Sequence, residues 1–132
     1  MNKHSPKTLL ESATEARKNA HSKYSRFSVG SALLTEDGSV FLGCNVENAS
    51  YGLTICAERV ALTSAVTAGH KSFQALAIVA DHLAAPCGAC RQVLAEFCKD
   101  DFLIYIASAK DSASFETHLM GKLLPERFHF HP

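Results

Sequence analysis

Apolar side chains recur at steps of three and four through Leu9, Leu10, Ala13, Ala16 and Ala20, which puts them along one face of a helix. Ser5 followed by Pro6 marks its start, because proline in a first turn gives up only an N–H that the helix does not use. The spacing predicts a helix to about His21. From Phe27 to Thr35 the residues suit a strand, and Asp37-Gly38 ahead of Val40-Phe41-Leu42 is a two-residue hairpin signal. After a polar loop through Asn45 and Ser50, Ala57 to Ala68 is built of helix formers and stops at Gly69, the expected position of a left-handed C-terminal cap.

Phe73 to Ala80 is apolar almost throughout, as a strand covered on both faces should be. Cys87 to Cys98 returns to helical spacing, with Ala89, Val93, Leu94 and Phe97 on its apolar side. Phe102 to Ala107 reads as a second buried strand. A turn at Lys110-Asp111-Ser112 then folds Phe115 to Leu119 back as an edge strand, ahead of a short helix around Leu123. This order predicts the α/β class: a three-layer α/β/α sandwich around a mixed five-stranded sheet. No repeat or linker interrupts it, so residues 1–132 are expected to form one domain.

Charge removes one class of partner. Thirteen Lys plus Arg balance thirteen Asp plus Glu, leaving no positive field to hold a phosphate backbone, so nucleic acid is not expected as a partner. Residues 1–20 lack a continuous apolar run, which predicts neither a leader nor a membrane segment, and a cytoplasmic location. In a reducing compartment, five cysteines point to metal ligation or catalysis rather than to disulfides.

Three of those cysteines cluster at predicted helix starts: Cys56-Ala57-Glu58 before one helix and Pro86-Cys87-Gly88-Ala89-Cys90 at the opening of the next. Cys87 and Cys90, three apart, share a helix face where a tetrahedral Zn²⁺ can take both sulfurs, with Cys56 as the third ligand. The positive ends of two helices favour thiolates there. Three protein ligands leave a fourth position for water, as catalytic zinc requires. Glu58 then serves as the proton-transferring base, provided the metal sits at the helix end, because residues two apart on a regular helix diverge. Small Ala57 leaves room for substrate, and Arg59 can donate to the sulfurs.

A zinc-binding His or Cys with a non-ligand Glu two residues on, and a later Pro-Cys-x-x-Cys, is the general pattern of zinc deaminases. Beyond it, the chain resembles the free-nucleoside cytidine deaminase family in Tyr24-Ser25-Arg26-Phe27-Ser28-Val29-Gly30, in Gly43 to Gly52, in Cys56-Ala57-Glu58-Arg59, in Pro86 to Gln92 and in Leu123-Leu124-Pro125. The resemblance implies that Cys56, Cys87 and Cys90 bind zinc and that Glu58 is catalytic. It implies further that Phe27 packs on the pyrimidine and that Asn45 and Glu47 hydrogen-bond the ribose of a small cytosine nucleoside. The implied reaction is hydrolysis at C4 of cytidine or 2'-deoxycytidine, releasing ammonia in pyrimidine salvage. The family's short form is a homotetramer in which a C-terminal Phe, Phe128 here with Phe130 as the alternative, reaches a neighbour's site.

Other readings compete for the same residues. Phe27 could be core packing, Glu47 a solvated charge and Asn48 a turn former, the last being the preferred reading for Asn48. Cys44 and Cys98 read as small buried hydrophobes, and no histidine stands at a ligand spacing. A structural zinc knot would need a fourth protein ligand, and a deaminase of another cytosine compound such as blasticidin S would share the metal motif.

Overall fold

The computed structural model describes residues 4–132. Helix α1, Pro6–Arg17, starts as expected: the Ser5 hydroxyl accepts the Thr8 N–H at 3.2 Å. It ends before His21. The N–H groups of Lys18, Asn19 and Ala20 reach back only three residues, tightening the last turn, and His21 donates instead to the Asn45 carbonyl at 2.9 Å.

Strand β1 is Gly30–Thr35, shorter than the expected Phe27 start, because the backbone of Phe27 and Val29 is held by the Asn45 side chain rather than by a neighbouring strand. Its hairpin to β2, Val40–Cys44, is also longer than two residues. Thr35 N–H bonds the Ser39 carbonyl at 2.9 Å across Glu36-Asp37-Gly38, and Gly38 takes the left-handed conformation at φ +91°. A single turn of 3₁₀ helix at Tyr51–Leu53, unmarked in the sequence pattern, precedes α2, Ala57–Thr67. Gly69, at φ +99°, closes α2: its N–H reaches Val66 and that of His70 reaches Ala65, the paired bonds of a Schellman cap.

Strand β3 is Phe73–Ala80 and helix α3 is Gly88–Ala95. Helix α3 stops short of Cys98 because Glu96 and Phe97 switch to bonds three residues back. Strand β4, Leu103–Ser108, leads into β5 at Asp111–Leu119, which begins four residues earlier than the sequence pattern predicts. Ser108 pairs with Asp111 across a two-residue connection, so Asp111 belongs to the strand rather than to the turn. Helix α4, Met120–Leu123, follows.

The sheet order is β2-β1-β3-β4-β5, with β3 and β4 parallel and every other pair antiparallel. Alternation along the central strands divides the core. Leu33, Leu76, Ile78, Ile104 and Ile106 face Ala61, Leu62 and Ala65 of α2, Leu94 of α3 and Met120 of α4. Ala32, Leu34, Ala75, Ala77 and Val79 face Leu9, Leu10 and Ala13 of α1. The mixed five-stranded sheet is therefore the middle layer of an α/β/α sandwich.

Small residues let α2 sit very close to the sheet. A Cβ at Gly43 would lie 2.2 Å from the Ala57 carbonyl oxygen, and Ser31 Oγ donates to that oxygen at 2.8 Å. The first turn of α2, where Cys56 and Glu58 stand, is thus seated directly on β1 and β2.

Candidate metal centre and active site

Cys56 is the N-cap of α2, with extended backbone at φ −72° and ψ 153°. It stands outside the helical screw, and this resolves the divergence expected of two helical positions separated by two. Glu58 lies in the first turn and is 6% exposed. Cys87 is likewise the N-cap of α3, and its sulfur, unlike that of Cys56, accepts a helix N–H, from Cys90 at 3.4 Å. Both helix N-termini therefore bring partial positive charge to the sulfurs.

The sulfurs of Cys56, Cys87 and Cys90 all lie within 4.8 Å of one another, and those of Cys87 and Cys90 are 3.4 Å apart. Tetrahedral Zn–S bonds of about 2.3 Å place sulfurs roughly 3.8 Å apart, so sulfurs 3.4 Å apart in one pair and within 4.8 Å throughout are near the spacing zinc needs. Among the described residues, no fourth Cys, His, Asp or Glu joins this group. That favours a three-ligand site over a closed structural knot. Arg59 donates to Cys56 Sγ at 3.4 Å, as expected from its position.

The Cys56 and Cys90 thiols are shifted in opposite directions. Cys56 is driven below the ordinary thiol range, first by a hydrogen bond from Cys90 and then by Arg59, while the same Cys90–Cys56 bond and burial drive Cys90 above it. Burial raises the Glu58 carboxyl to about 7, and the Cys56 thiolate adds to the rise. Glu58 is thus held near the proton-exchange range that acid–base catalysis needs.

A cavity of about 250 Å³ opens onto this centre, lined by Phe27, Asn45, Glu47, Cys56, Ala57, Glu58 and Cys87. Residues far apart in sequence meet there because the 45–47 segment is zipped between two others. Glu47 N–H bonds His21 on one side, and Val46 exchanges backbone bonds with Ile55 at 2.9 and 3.0 Å on the other. Glu47 accepts the Tyr24 and Ser25 N–H groups at 2.9 and 3.1 Å and also the Ser25 hydroxyl. The Ser25 hydroxyl is the main reason its carboxyl lies below the usual range. Asn45 accepts from Val29 N–H at 3.0 Å and donates to the Phe27 carbonyl at 2.8 Å.

Arg26, left-handed at φ +59°, turns the chain immediately before Phe27. The Phe27 ring lies 5.0 Å from His82. Sequence reasoning missed His82, Ser25, Thr54, Ala84 and Ala85 at this site, since none sits in a ligand spacing. Only the bend of the chain after β3 brings the last two into the cavity wall. Asn48 accepts the Ser50 N–H at 2.8 Å, the turn role expected of it. Phe128 and Phe130 are 72% and 76% exposed and do not line this cavity in their own chain. Cys98 is buried, its thiol pushed up to about 12, and neither it nor Cys44 joins the trio.

Three convergent thiols beside a buried carboxyl that is not needed to hold a metal suit a zinc-dependent hydrolase. Residues 3–106 match the family model described as the cytidine and deoxycytidylate deaminase zinc-binding region, and the chain belongs to that family. It is a hydrolytic deaminase of a zinc-binding family. The chain is 48% identical over 122 residues to the cytidine deaminase of Sporosarcina psychrophila, covering 91% of this chain and 88% of that one. The crystal structure of cytidine deaminase from Burkholderia pseudomallei superposes with a TM-score of 0.86 at 48% identity, over 91% of this chain and 96% of the other. The blasticidin-S deaminase of Bacillus cereus is a more distant relative, 28% identical over 92 residues, 62% of this chain and 66% of its own.

Proposed function

We propose that the chain, acting as a single domain, hydrolyses cytidine and 2'-deoxycytidine to uridine and 2'-deoxyuridine with release of ammonia. The observation that carries this reading is the placement of Glu58, buried beside the three thiols and facing a cavity whose other walls are Phe27, Asn45 and Glu47. Cys56, Cys87 and Cys90 would hold Zn²⁺, which supplies a Lewis acid able to acidify a water molecule. As the water oxygen bonds to C4, Glu58 accepts one of its protons and delivers it to ring N3. Glu58 then takes the remaining proton from the new C4 hydroxyl and hands it to the amine, and the C4–N bond breaks to leave a C4 carbonyl and ammonia. Arg59 offsets the negative charge of the sulfurs, and Ala57 leaves space for the base.

Phe27 offers an aromatic face to the pyrimidine, and Asn45 and Glu47 offer hydrogen-bonding groups to the sugar hydroxyls. The exposed C-terminal Phe128 suits the contact with a neighbouring subunit's site in a homotetramer. The reading is of a cytoplasmic enzyme of pyrimidine salvage; no described helix is long and apolar enough to cross a membrane.

The test follows the ultraviolet absorbance of cytidine with zinc-replete protein, beside Glu58→Ala and a chelated sample. Conversion to uridine by the wild type alone supports the reading. Zinc-replete wild type that leaves cytidine intact but deaminates blasticidin S overturns the substrate assignment.

A further inference from the structure

Arg91 follows Cys90 in α3 and has no part in the chemistry above. Its Nε donates to the Pro86 carbonyl at 2.7 Å and its Nη1 to the Leu123 carbonyl at 2.9 Å. One half-buried guanidinium therefore ties the residue ahead of Cys87 to the end of α4. The need for such a tie is local. Cys87 is exposed and sits at the close of an irregular stretch, residues 81–87, that pairs with no strand. Leu123 ends a one-turn helix whose last carbonyls have no following turn to bond them.

We propose that Arg91 is a positioning residue for the metal centre: by fixing Pro86 against α4, it holds Cys87 at the separation from Cys90 that the metal requires. The proposal rests on the reading of the cysteine trio as the zinc site. A planar guanidinium can direct two donors to two carbonyls at once, whereas a lysine ammonium at the same place can satisfy one of them well. Arg127 provides an internal comparison. It grips the same C-terminal segment through an ion pair with Asp100 and a bond to the Cys98 carbonyl at 3.4 Å, without touching Pro86.

The experiment compares zinc-loaded wild type, Arg91→Met, Arg91→Lys and Arg127→Gln as full-length chains. It measures zinc transfer to a competing chelator and the visible bands of the Co²⁺-substituted proteins, which report tetrahedral thiolate ligation independently of turnover. Partners that orient metal ligands typically change metal affinity by about tenfold to a hundredfold. Arg91→Met is expected to weaken zinc binding at least about fivefold and to alter the Co²⁺ bands. Arg91→Lys should fall between it and wild type, and Arg127→Gln below the fivefold threshold.

A smaller effect in Arg91→Met with unchanged Co²⁺ bands overturns the proposal, as does an equal effect in Arg127→Gln. If Arg91→Met fails to fold, Arg91→Lys against Arg127→Gln decides on the same terms. Wild type that binds no zinc through the three thiols would instead overturn the zinc reading itself.

Discussion

Replacing Gly43 by alanine perturbs the metal centre without touching it. Gly43 lies in β2 opposite Ser31, and a Cβ there would stand 2.2 Å from the Ala57 carbonyl oxygen, 2.7 Å from the Ala61 nitrogen and 2.8 Å from Ser31 Oγ. Two of these are backbone atoms of α2, so no side-chain rotation relieves the overlap. Restoring a normal contact near 3.5 Å requires the first turn of α2 to retreat by about 1 Å or more. Overpacking of this kind costs about 1–3 kcal/mol. Stretching the Ser31–Ala57 bond, now 2.8 Å, adds about 1 kcal/mol.

For a chain of this size the sum corresponds to a fall in Tm of roughly 6–20 °C. Because Cys56 and Glu58 ride on the displaced turn, kcat should fall by about 10²-fold even at temperatures where the variant stays folded. Differential scanning calorimetry and the cytidine assay measure the two effects separately. Gly52→Ala is the control, since nothing lies within 4 Å of its added Cβ, and its Tm should match wild type. A Gly43→Ala protein with wild-type Tm and kcat would refute the claim that close seating of α2 on the sheet positions the site.

Glu58→Gln should retain its zinc by elemental analysis yet lose roughly 10²–10⁴ in kcat, because it removes proton transfer but no ligand. Chelation should abolish activity and zinc should restore it; competition titrations should show weaker zinc binding as pH falls, since protons compete for the three thiols. Asn45→Ala should destabilise the fold by about 2–4 kcal/mol in urea unfolding, because it leaves the Val29 N–H and Phe27 carbonyl without their partner.

The sandwich was legible because its signals are local and agree with one another. The stripe of Leu9, Leu10 and Ala13 is the α1 face that packs on the sheet, Gly69 is the cap of α2, and the apolar run at Phe73–Ala80 is the central strand. Element ends were less legible where a tertiary contact outbid the local preference. His21 leaves the α1 pattern to pair with the 45–47 segment, and Phe27 forgoes the sheet ladder for the Asn45 side chain. The metal trio was legible from its spacing together with the helix-start signals around it. His82 and Arg91 were not given roles because their partners, Phe27 and the Leu123 carbonyl, are distant in sequence and set by topology alone.

The polar wall of the cavity is already hydrogen-bonded within the chain, and this bears on selectivity. Glu47 already accepts three hydrogen bonds of the roughly four its oxygens can take. Each half of the Asn45 amide uses one of the two bonds it can make. Both side chains are therefore fixed by the chain itself, with a small unused capacity. A sugar hydroxyl that donates to Glu47 or meets the spare Asn45 groups gains a bond to an already ordered partner, without the entropy of arranging it. A ligand without that hydroxyl forgoes this bond, while Glu47 and Asn45 keep the partners the chain already gives them. Under the proposed assignment, free cytosine should lose more in kcat/KM than its smaller contact area accounts for, by the bonds it cannot make to Glu47 and Asn45. A Glu47→Ala variant should narrow the gap between the base and the nucleoside; equal discrimination in wild type and variant would remove Glu47 from the sugar contact.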